Sequence, residues 1–449
     1  MGMNQHHLST KPLTLAFLLI LFLGSGEAAR AQGVWGDPVD SGRVDTLEFL
    51  VILPFGLQVD TVAGGALPRR AQRLREIALE HLHGVELAVG QLAEAGVPVH
   101  LEVVDEVVDS LGNLQFSNLQ IARADIVIGP LMRENLGVAA PKVDRFGREH
   151  VLLTEQPQRY VERGGAVRQA VASEWAMTEQ LAEWVSTAHD TDHVMLVVTG
   201  GSDLALEAHF EAQFNAAQRA KWMLEGDSLK FAVIDTVTAS SSSVGRLADH
   251  VTPYARNVIV SVAGRSSRSM WAALQTELQM NDSSAFVLFG HPELAEMPFV
   301  EGGLMSQWRV TLPLFGQVQW GDSSLRATLE KYRALTGSEP GKYARLAHDA
   351  VLDAGIRRHP HIRDWVQPLL TPLIWDQREE GGAWHNETWT LHRFQDLAWA
   401  RLDTLPPLAP FVPRLFWDPE TEEVIPVPEA YRNLFPDTYA PDGTLRDSE

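Results

Sequence analysis

The feature that most limits the fold is a repeated alternation of short, nearly unbroken apolar runs with longer helix-forming segments. Leu47-Glu48-Phe49-Leu50-Val51-Ile52-Leu53 is one such run, ended by Pro54-Phe55-Gly56. A strand of this composition is buried on both faces, as in a parallel sheet covered by helices. Arg70 to Ala95 follows with Leu74, Ile77, Leu82, Val85, Leu87, Val89 and Leu92 on an imperfect apolar face, and Gly96 stops it. A second strand is expected at Val97 to Val104 and a third at Asp125-Ile126-Val127-Ile128, closed by Gly129-Pro130. A helical stretch to about Phe146 and a strand at His150 to Thr154 continue the series. Strands alternating with helices predict a doubly wound parallel sheet.

The pattern resumes with a long helix over about Val167 to Thr187 and a strand at Val194 to Val198, after which Thr199-Gly200-Gly201-Ser202 opens another helix. Further strands are expected at Leu229 to Ile234, Asn257 to Val262 and Ala285 to Phe289. At least seven strands exceed what one sheet of this kind usually holds, so two sheets, one per lobe, are predicted. Beyond Leu312 to Phe315 come helices at Ser324 to Leu335 and Tyr343 to Ile356, separated by Thr336 to Pro340. Two hairpins close the body, Trp389 to Phe394 with Leu397 to Arg401, and Arg414 to Trp417 with Glu422 to Val427. The expected organisation is a first lobe of residues 47–165 plus 312–356 and a second of 166–311. Crossing segments and a hairpin follow at 357–404, then a proline-rich arm at 405–449 with a disordered end.

At the other end of the chain, Leu13 to Leu23 is an apolar run behind Lys11, and Ala29-Arg30-Ala31 has small residues at the positions a signal peptidase reads. Residues 1–31 are therefore expected to be a cleavable secretory signal, too short to span a bilayer. With no cysteine the chain has no disulfide, thiol nucleophile, thiolate metal site or N-terminal lipid anchor, so an unlipidated periplasmic protein is expected. A net charge of −21 opposes nucleic acid and anionic membrane surfaces as partners.

Several pieces taken together resemble the type I periplasmic solute-binding proteins, the superfamily of the leucine/isoleucine/valine-binding proteins of ABC transporters. These are Val51 to Phe55 as first strand and lip, Gly84-Val85-Glu86-Leu87-Ala88 in the first helix, Val103-Val104-Asp105, and Ala124 to Pro130. Near the end, Tyr332, Gly337, Pro340, Tyr343-Ala344 and His348-Asp349-Ala350 continue the likeness, which runs from about Leu47 to Ile356. The resemblance implies two Rossmann-like α/β lobes with a ligand held between them by loops at the strand carboxyl ends. Topology alone favours the same loops, and helix N-termini exposed there would offer free N–H donors to an anion.

Those loops contain Phe55, Asp105, Met132, Arg133, Thr154, Glu155, Gly201 and Ser202, with Arg265 and His291 from the second lobe. Arg133 can fork onto a ligand carboxylate or stand solvated in a first helical turn. Ser202 can cap a helix or contact an anion, and Asp105 can serve the ligand or simply end a strand. In amino-acid binders of this superfamily a small hydroxyl residue shortly after Gly-Pro holds the ligand's carboxylate. Here Leu131-Met132-Arg133 occupies that loop, and Thr154 alone keeps hydroxyl character in the next.

His189 to His193 is the most metal-like cluster, but it sits in a helix-to-strand connection and no third separated ligand accompanies it. No Gly-x-Ser-x-Gly elbow, Walker loop or His-Glu-x-x-His occurs. No catalytic residue, cofactor or metal is expected. The leading expectation is a periplasmic receptor that presents a small polar solute, such as an amino acid or peptide, to an ABC permease or a sensor. The alternative is an interaction protein with the same lobes, no small ligand and a periplasmic protein partner, with no membrane insertion in either case.

Overall fold

The computed structural model describes residues 46–57, 68–106, 116–156, 164–189, 192–225, 234–239, 244, 247–252, 256–264, 268–280, 285–297, 300–318, 320, 322–370, 372–378, 380–406, 408, 416–418 and 423–425. Residues 1–31, read above as a secretory signal, Arg265 and most of residues 405–449 lie outside the described residues. Two seven-stranded sheets carry the fold. The first takes β1 (Leu47–Leu53), β2 (Val99–Asp105), β3 (Ile126–Ile128), β4 (Glu149–Leu152), β5 (Val167–Ala172), β11 (Trp375–Asp376) and β12 (Trp384–Asn386), in the order β11-β12-β5-β4-β3-β1-β2. The second takes β6 (His193–Val198), β7 (Ile234–Thr238), β8 (Arg256–Ser261), β9 (Ala285–Gly290), β10 (Thr311–Leu314), β13 (Thr390–Gln395) and β14 (Ala398–Arg401), in the order β14-β13-β10-β9-β8-β6-β7. Each has a parallel core, and β11, β13 and β14 join antiparallel. A short hairpin, β15 (Phe416–Asp418) with β16 (Glu423–Ile425), forms a third sheet.

Both faces of each main sheet are covered, as the unbroken apolar strands require. In β1, Phe49, Val51 and Leu53 pack on Val85, Ala88 and Leu92 of the helix Arg69–Glu94 and on Ala347, Ala350 and Val351 of the helix Lys342–Arg358. Leu50 and Ile52 point the other way, to Phe116, Ile121, Ala139 and Val143. The second sheet repeats the plan. Val194, Leu196, Val258 and Val260 meet Phe210 and Phe214 on one side, while Met195, Val197 and Ile259 meet Trp271, Leu274 and Leu278 on the other.

Several details differ from the sequence expectation. No helix starts at Val167; residues 167–172 form β5, and the helix opens at Glu174 with Ser173 Oγ accepting from Ala176 N–H. The run of helix formers masked the strand, although Ser173 is a recognisable cap that marks the boundary. Most of the strand read at Leu229 to Ile234 lies outside the described residues, within which β7 spans Ile234–Thr238, and Leu397 belongs to a turn instead of opening a strand. Asp396 and Leu397 have φ of 50° and 62°, the left-handed pair that a tight hairpin of this twist demands. The chain passes from the first sheet to the second after β5, and β10 pairs within the second.

The two long helices of the first lobe touch through backbone. A Cβ at Gly84 would lie 2.0 Å from the Ala344 carbonyl oxygen, and one at Gly355 would lie 2.5 Å from Leu92 Cδ2. Glu80, one turn before Gly84, accepts the Tyr343 N–H at 3.2 Å and so ties the start of the second helix to the first. The contact at Gly84 involves backbone that no rotamer change can move, so Gly84→Val is expected to lower stability in urea by about 3 kcal/mol or more. The same change at Gly90, which has open space in the helix interior, is expected to be neutral or slightly stabilising because glycine is the poorer helix former; equal midpoints for the two variants would contradict this packing.

Candidate functional site

The carboxyl ends of the parallel strands in the two sheets converge on the segments where the chain crosses between lobes. Ser173 follows β5, Phe315 and Gly316 follow β10, and Glu387 to Trp389 join β12 to β13. These crossings are knit together by polar contacts. Ser173 N–H donates to Asn386 O at 2.8 Å, and the Trp389 indole donates to Ser173 O at 2.7 Å. The Asn386 side chain, wholly buried, donates to Ala170 O and accepts from Thr388 N–H, both at 2.9 Å. Thr390 Oγ1 donates to Leu314 O at 3.0 Å, and the Phe315 and Trp389 rings meet edge to face.

Around these crossings the backbone donors of three strand-end loops are already occupied. Asp105 Oδ1 accepts from Phe55 N–H (2.8 Å) and Gly56 N–H (3.0 Å), and Oδ2 accepts from Leu57 N–H (2.8 Å). Glu106 accepts from Leu131 N–H, Met132 N–H and Asn135 Nδ2, at 2.8, 2.8 and 2.9 Å. In the second lobe Glu207 reaches back from its helix to Thr199 N–H, Thr199 Oγ1 and Gly200 N–H, at 2.6, 2.7 and 3.1 Å. Glu106 and Glu207 are buried. The expectation that these amides stand free for an external anion is therefore corrected: the chain supplies its own carboxylates. Sequence reasoning singled out Asp105 but missed Glu106 and Glu207. The acidic pair Asp105-Glu106 at a strand end was the available signal, whereas the pairing of Glu106 with a loop 25 residues on is tertiary.

Burial dominates the charge state of Glu106. It raises the carboxyl from the usual 4.5 to about 7 despite three donors that favour the ionised form. Nearby, His150 is held down to about 4 by its complete burial, so the ring is neutral, and Nε2 donates to Gly129 O at 2.6 Å beside the cis Gly129-Pro130 bond.

Further charged side chains lie at the same strand ends. Arg133 is the first residue of its helix and exposed, and Glu155 stands exposed after β4. His291 is buried after β9; its Nδ1 accepts from Glu293 N–H, which turns Nε2 toward Glu174 Oε1, 3.7 Å away. Glu155 has a raised pKa, first through partial burial and then through Glu174, while Arg133 and His291 oppose the rise. Arg133, Glu155, Glu174 and His291 therefore form one electrostatic group drawn from both lobes. A further exposed pair, Lys342 with Glu296 at 3.3 Å, also bridges the lobes.

The other expected residues have different surroundings. Phe55 is buried in the first-lobe core, and Met132 gives its N–H to Glu106. Thr154 Oγ1 donates to Leu131 O and accepts from Gln156 Nε2. Gly201 and Ser202 form an exposed 3-10 turn. Ser202 is not a helix cap: Gly200 holds that position and Glu207 satisfies the donors. The metal-like pair separates, with His189 Nδ1 on Asp192 and His193 Nδ1 facing Asn257 Oδ1 and Thr252 Oγ1.

No protein-family model matches the sequence, and no curated relative matches it. Among solved structures, a branched-chain amino acid ABC transporter protein from Rhodospirillum rubrum superimposes with a TM-score of 0.53 at 12% identity, covering 80% of this chain and 100% of that one. An ABC transporter substrate-binding protein from Desulfitobacterium hafniense gives 0.49 at 16% identity over 80% and 100% of the two chains. Full-length LpoA from Haemophilus influenzae gives 0.48 at 16% identity over 80% of this chain and 60% of that one. The Rhodospirillum comparison, with the two sheets, defines the class: the α/β, two-lobed fold of type I periplasmic binding proteins.

Two outcomes follow from this geometry. Asn386→Ala strands a buried carbonyl and a buried N–H at the crossing and is expected to cost about 2–4 kcal/mol in urea unfolding; a loss under about 0.5 kcal/mol would remove Asn386 from its structural role. For Glu106 the folded pKa lies above the unfolded one, so its contribution is fully present below pH 4.5 and is lost as pH rises to about 7. The stability of the wild type relative to Glu106→Gln is therefore expected to fall by up to about 3 kcal/mol across that window. Parallel pH profiles for the two proteins would contradict the assignment.

Proposed function

We propose that this is a non-catalytic exported protein that keeps the type I periplasmic binding frame as a scaffold for a protein partner in the same compartment. The observation that carries this reading is the internal filling of the strand-end amides by Asp105, Glu106 and Glu207. A ligand carboxylate gains its affinity from donors that water would otherwise occupy, and donors already bonded to a built-in carboxylate offer it nothing. The bonded crossings at Ser173, Asn386 and Trp389 and the Lys342–Glu296 bridge also favour one fixed arrangement of lobes. Among the described helices none is long and apolar enough to cross a membrane. The exported, periplasmic placement rests on the signal-like residues 1–31.

A second reading, a receptor handing a small polar solute to an ABC permease or sensor, is favoured by the group formed by Arg133, Glu155, Glu174 and His291. Two carboxylates beside one guanidinium suit a ligand with a cationic end, such as an amine, held without help from the filled amides.

The readings separate in a thermal-shift screen of amino acids, short peptides, polyamines and sugars. The scaffold reading expects no saturable rise in Tm with any of them. A rise that survives in the wild type and disappears in Glu155→Gln would establish the receptor reading instead. A ligand held at 100 times its Kd would contribute about 2.7 kcal/mol, which is easily resolved.

A further inference from the structure

A turn at the amino edge of the first sheet, opposite the strand-end loops, presents its side chains to solvent. It stands beside a fixed stack of aromatic and guanidinium groups. Arg168, the second residue of β5, lies 4.8 Å from the centre of the Trp384 ring and 5.3 Å from that of Trp375, and Arg357 lies 5.6 Å from Trp375. Glu149, the first residue of β4, pairs with Arg168 at 3.4 Å and also with Arg357. Asp353 takes Arg357 as well, and accepts the Trp375 indole N–H at 2.9 Å. The helix Lys342–Arg358 ends here, and a single 3-10 turn, Pro360–Ile362, leads to Trp365, whose N–H donates to Ile362 O at 2.8 Å. Ile362 and Val366 are buried in the first-lobe core and pin the turn on both sides.

Between those anchors Arg363, Asp364 and Trp365 are exposed. Trp365 is 81% exposed, more than any other large apolar side chain among the described residues. The Arg363 guanidinium has no hydrogen bond or ion pair among the described residues. Arg358 reaches Glu149 Oε2 at 3.8 Å, on a carboxylate already shared by Arg168 and Arg357. His361 is exposed and meets His359 edge to face, and Asp364 is the one acid in residues 358–365. A single exposed apolar side chain needs no explanation, but tryptophan beside an unpaired arginine is the composition that dominates the energy of protein interfaces. The bonded stack and the two buried anchors hold the turn in place, so little conformational freedom is left to lose on binding. The guanidinium donors select a partner that carries carboxylates. A second copy is disfavoured, because two-fold pairing would face this basic turn with itself on chains of net charge −21. The same net charge opposes an anionic membrane.

We propose that the turn at residues 358–365 is a docking surface for an acidic segment of a partner protein, in which Trp365 packs on an apolar residue while Arg363 and Arg358 take carboxylates. The surface goes beyond the scaffold reading, because a receptor that hands its solute to a permease or sensor needs a docking face as well. The two also fail separately: a Glu155-dependent rise in Tm would remove the scaffold reading and leave this turn untouched.

The test is fluorescence anisotropy of a short labelled peptide of glutamates around a central leucine, titrated with the full chain at constant ionic strength, with its lysine counterpart as the reference. Saturable binding of the glutamate peptide alone is expected, weakened at least about tenfold in Trp365→Ala and in Arg363→Glu. Both side chains are exposed, so each variant is expected to keep the Tm of the wild type. Arg73→Glu makes the same charge change near the exposed start of the helix Arg69–Glu94 and is expected to leave the affinity unchanged. No saturable binding of the glutamate peptide, or an equal loss in Arg73→Glu, would overturn the proposal. Binding to phosphatidylglycerol vesicles in its place, or a dimer in light scattering that Trp365→Ala dissociates, would overturn it too and assign the turn to a membrane or to a second copy.

Discussion

The three chain crossings between the sheets depend on one buried amide. Asn386 has its side chain out of water, donates to Ala170 at the end of β5 and accepts from Thr388, while its own carbonyl receives Ser173 N–H. A polar side chain in such a place is tolerated only when its donors and acceptors are matched, and once matched it fixes the register of every segment that supplies a partner. β5, β12 and the start of the helix Glu174–Ala188 are positioned in this way. Trp389 then carries the constraint to the second sheet by bonding Ser173 and meeting Phe315 edge to face after β10. The lobes thus share a joint whose geometry follows from hydrogen-bond matching, with apolar burial confined to the layers on either side.

The carboxylates at the strand ends are a consequence of the same requirement. Parallel strands leave their loops and helix starts at one edge, where N–H groups have no ladder partner. In a receptor these donors can be left for the ligand and filled by water meanwhile. Here Asp105, Glu106 and Glu207 fill them permanently, and the cost appears as the raised pKa of buried Glu106. A carboxyl that is half protonated near neutrality holds its amides less firmly than a fully ionised one, yet more firmly than transient water. The local backbone of these loops is consequently set by the chain's own carboxylates.

How much of this was legible from sequence depends on how local the determining interactions are. β1 could be read because both its faces are apolar, and the Ala124 to Pro130 turn because its residues fix their own conformation. β5 could not, because Arg168, Gln169 and the alanines suit a helix equally, and only pairing with β4 and β12 makes them a strand. The strand-end loops could be listed from the order of strands, but the partners of those loops could not. Glu106 finds its donors 25 and 26 residues away, and no periodicity records that. Ser202 misled for the opposite reason, since a good cap residue sat where Glu207 had already taken the donors.

The charge cluster between the lobes carries both signs. Arg133, Glu155, Glu174 and His291 can neutralise one another, so that cluster is stable whether or not anything binds. Partial burial strengthens those attractions, because charges that would be screened in water interact strongly where water is excluded. A mixed cluster of this kind can be explained by the fold alone, and the raised pKa of Glu155 records how partial burial and the neighbouring Glu174 outweigh Arg133 and His291.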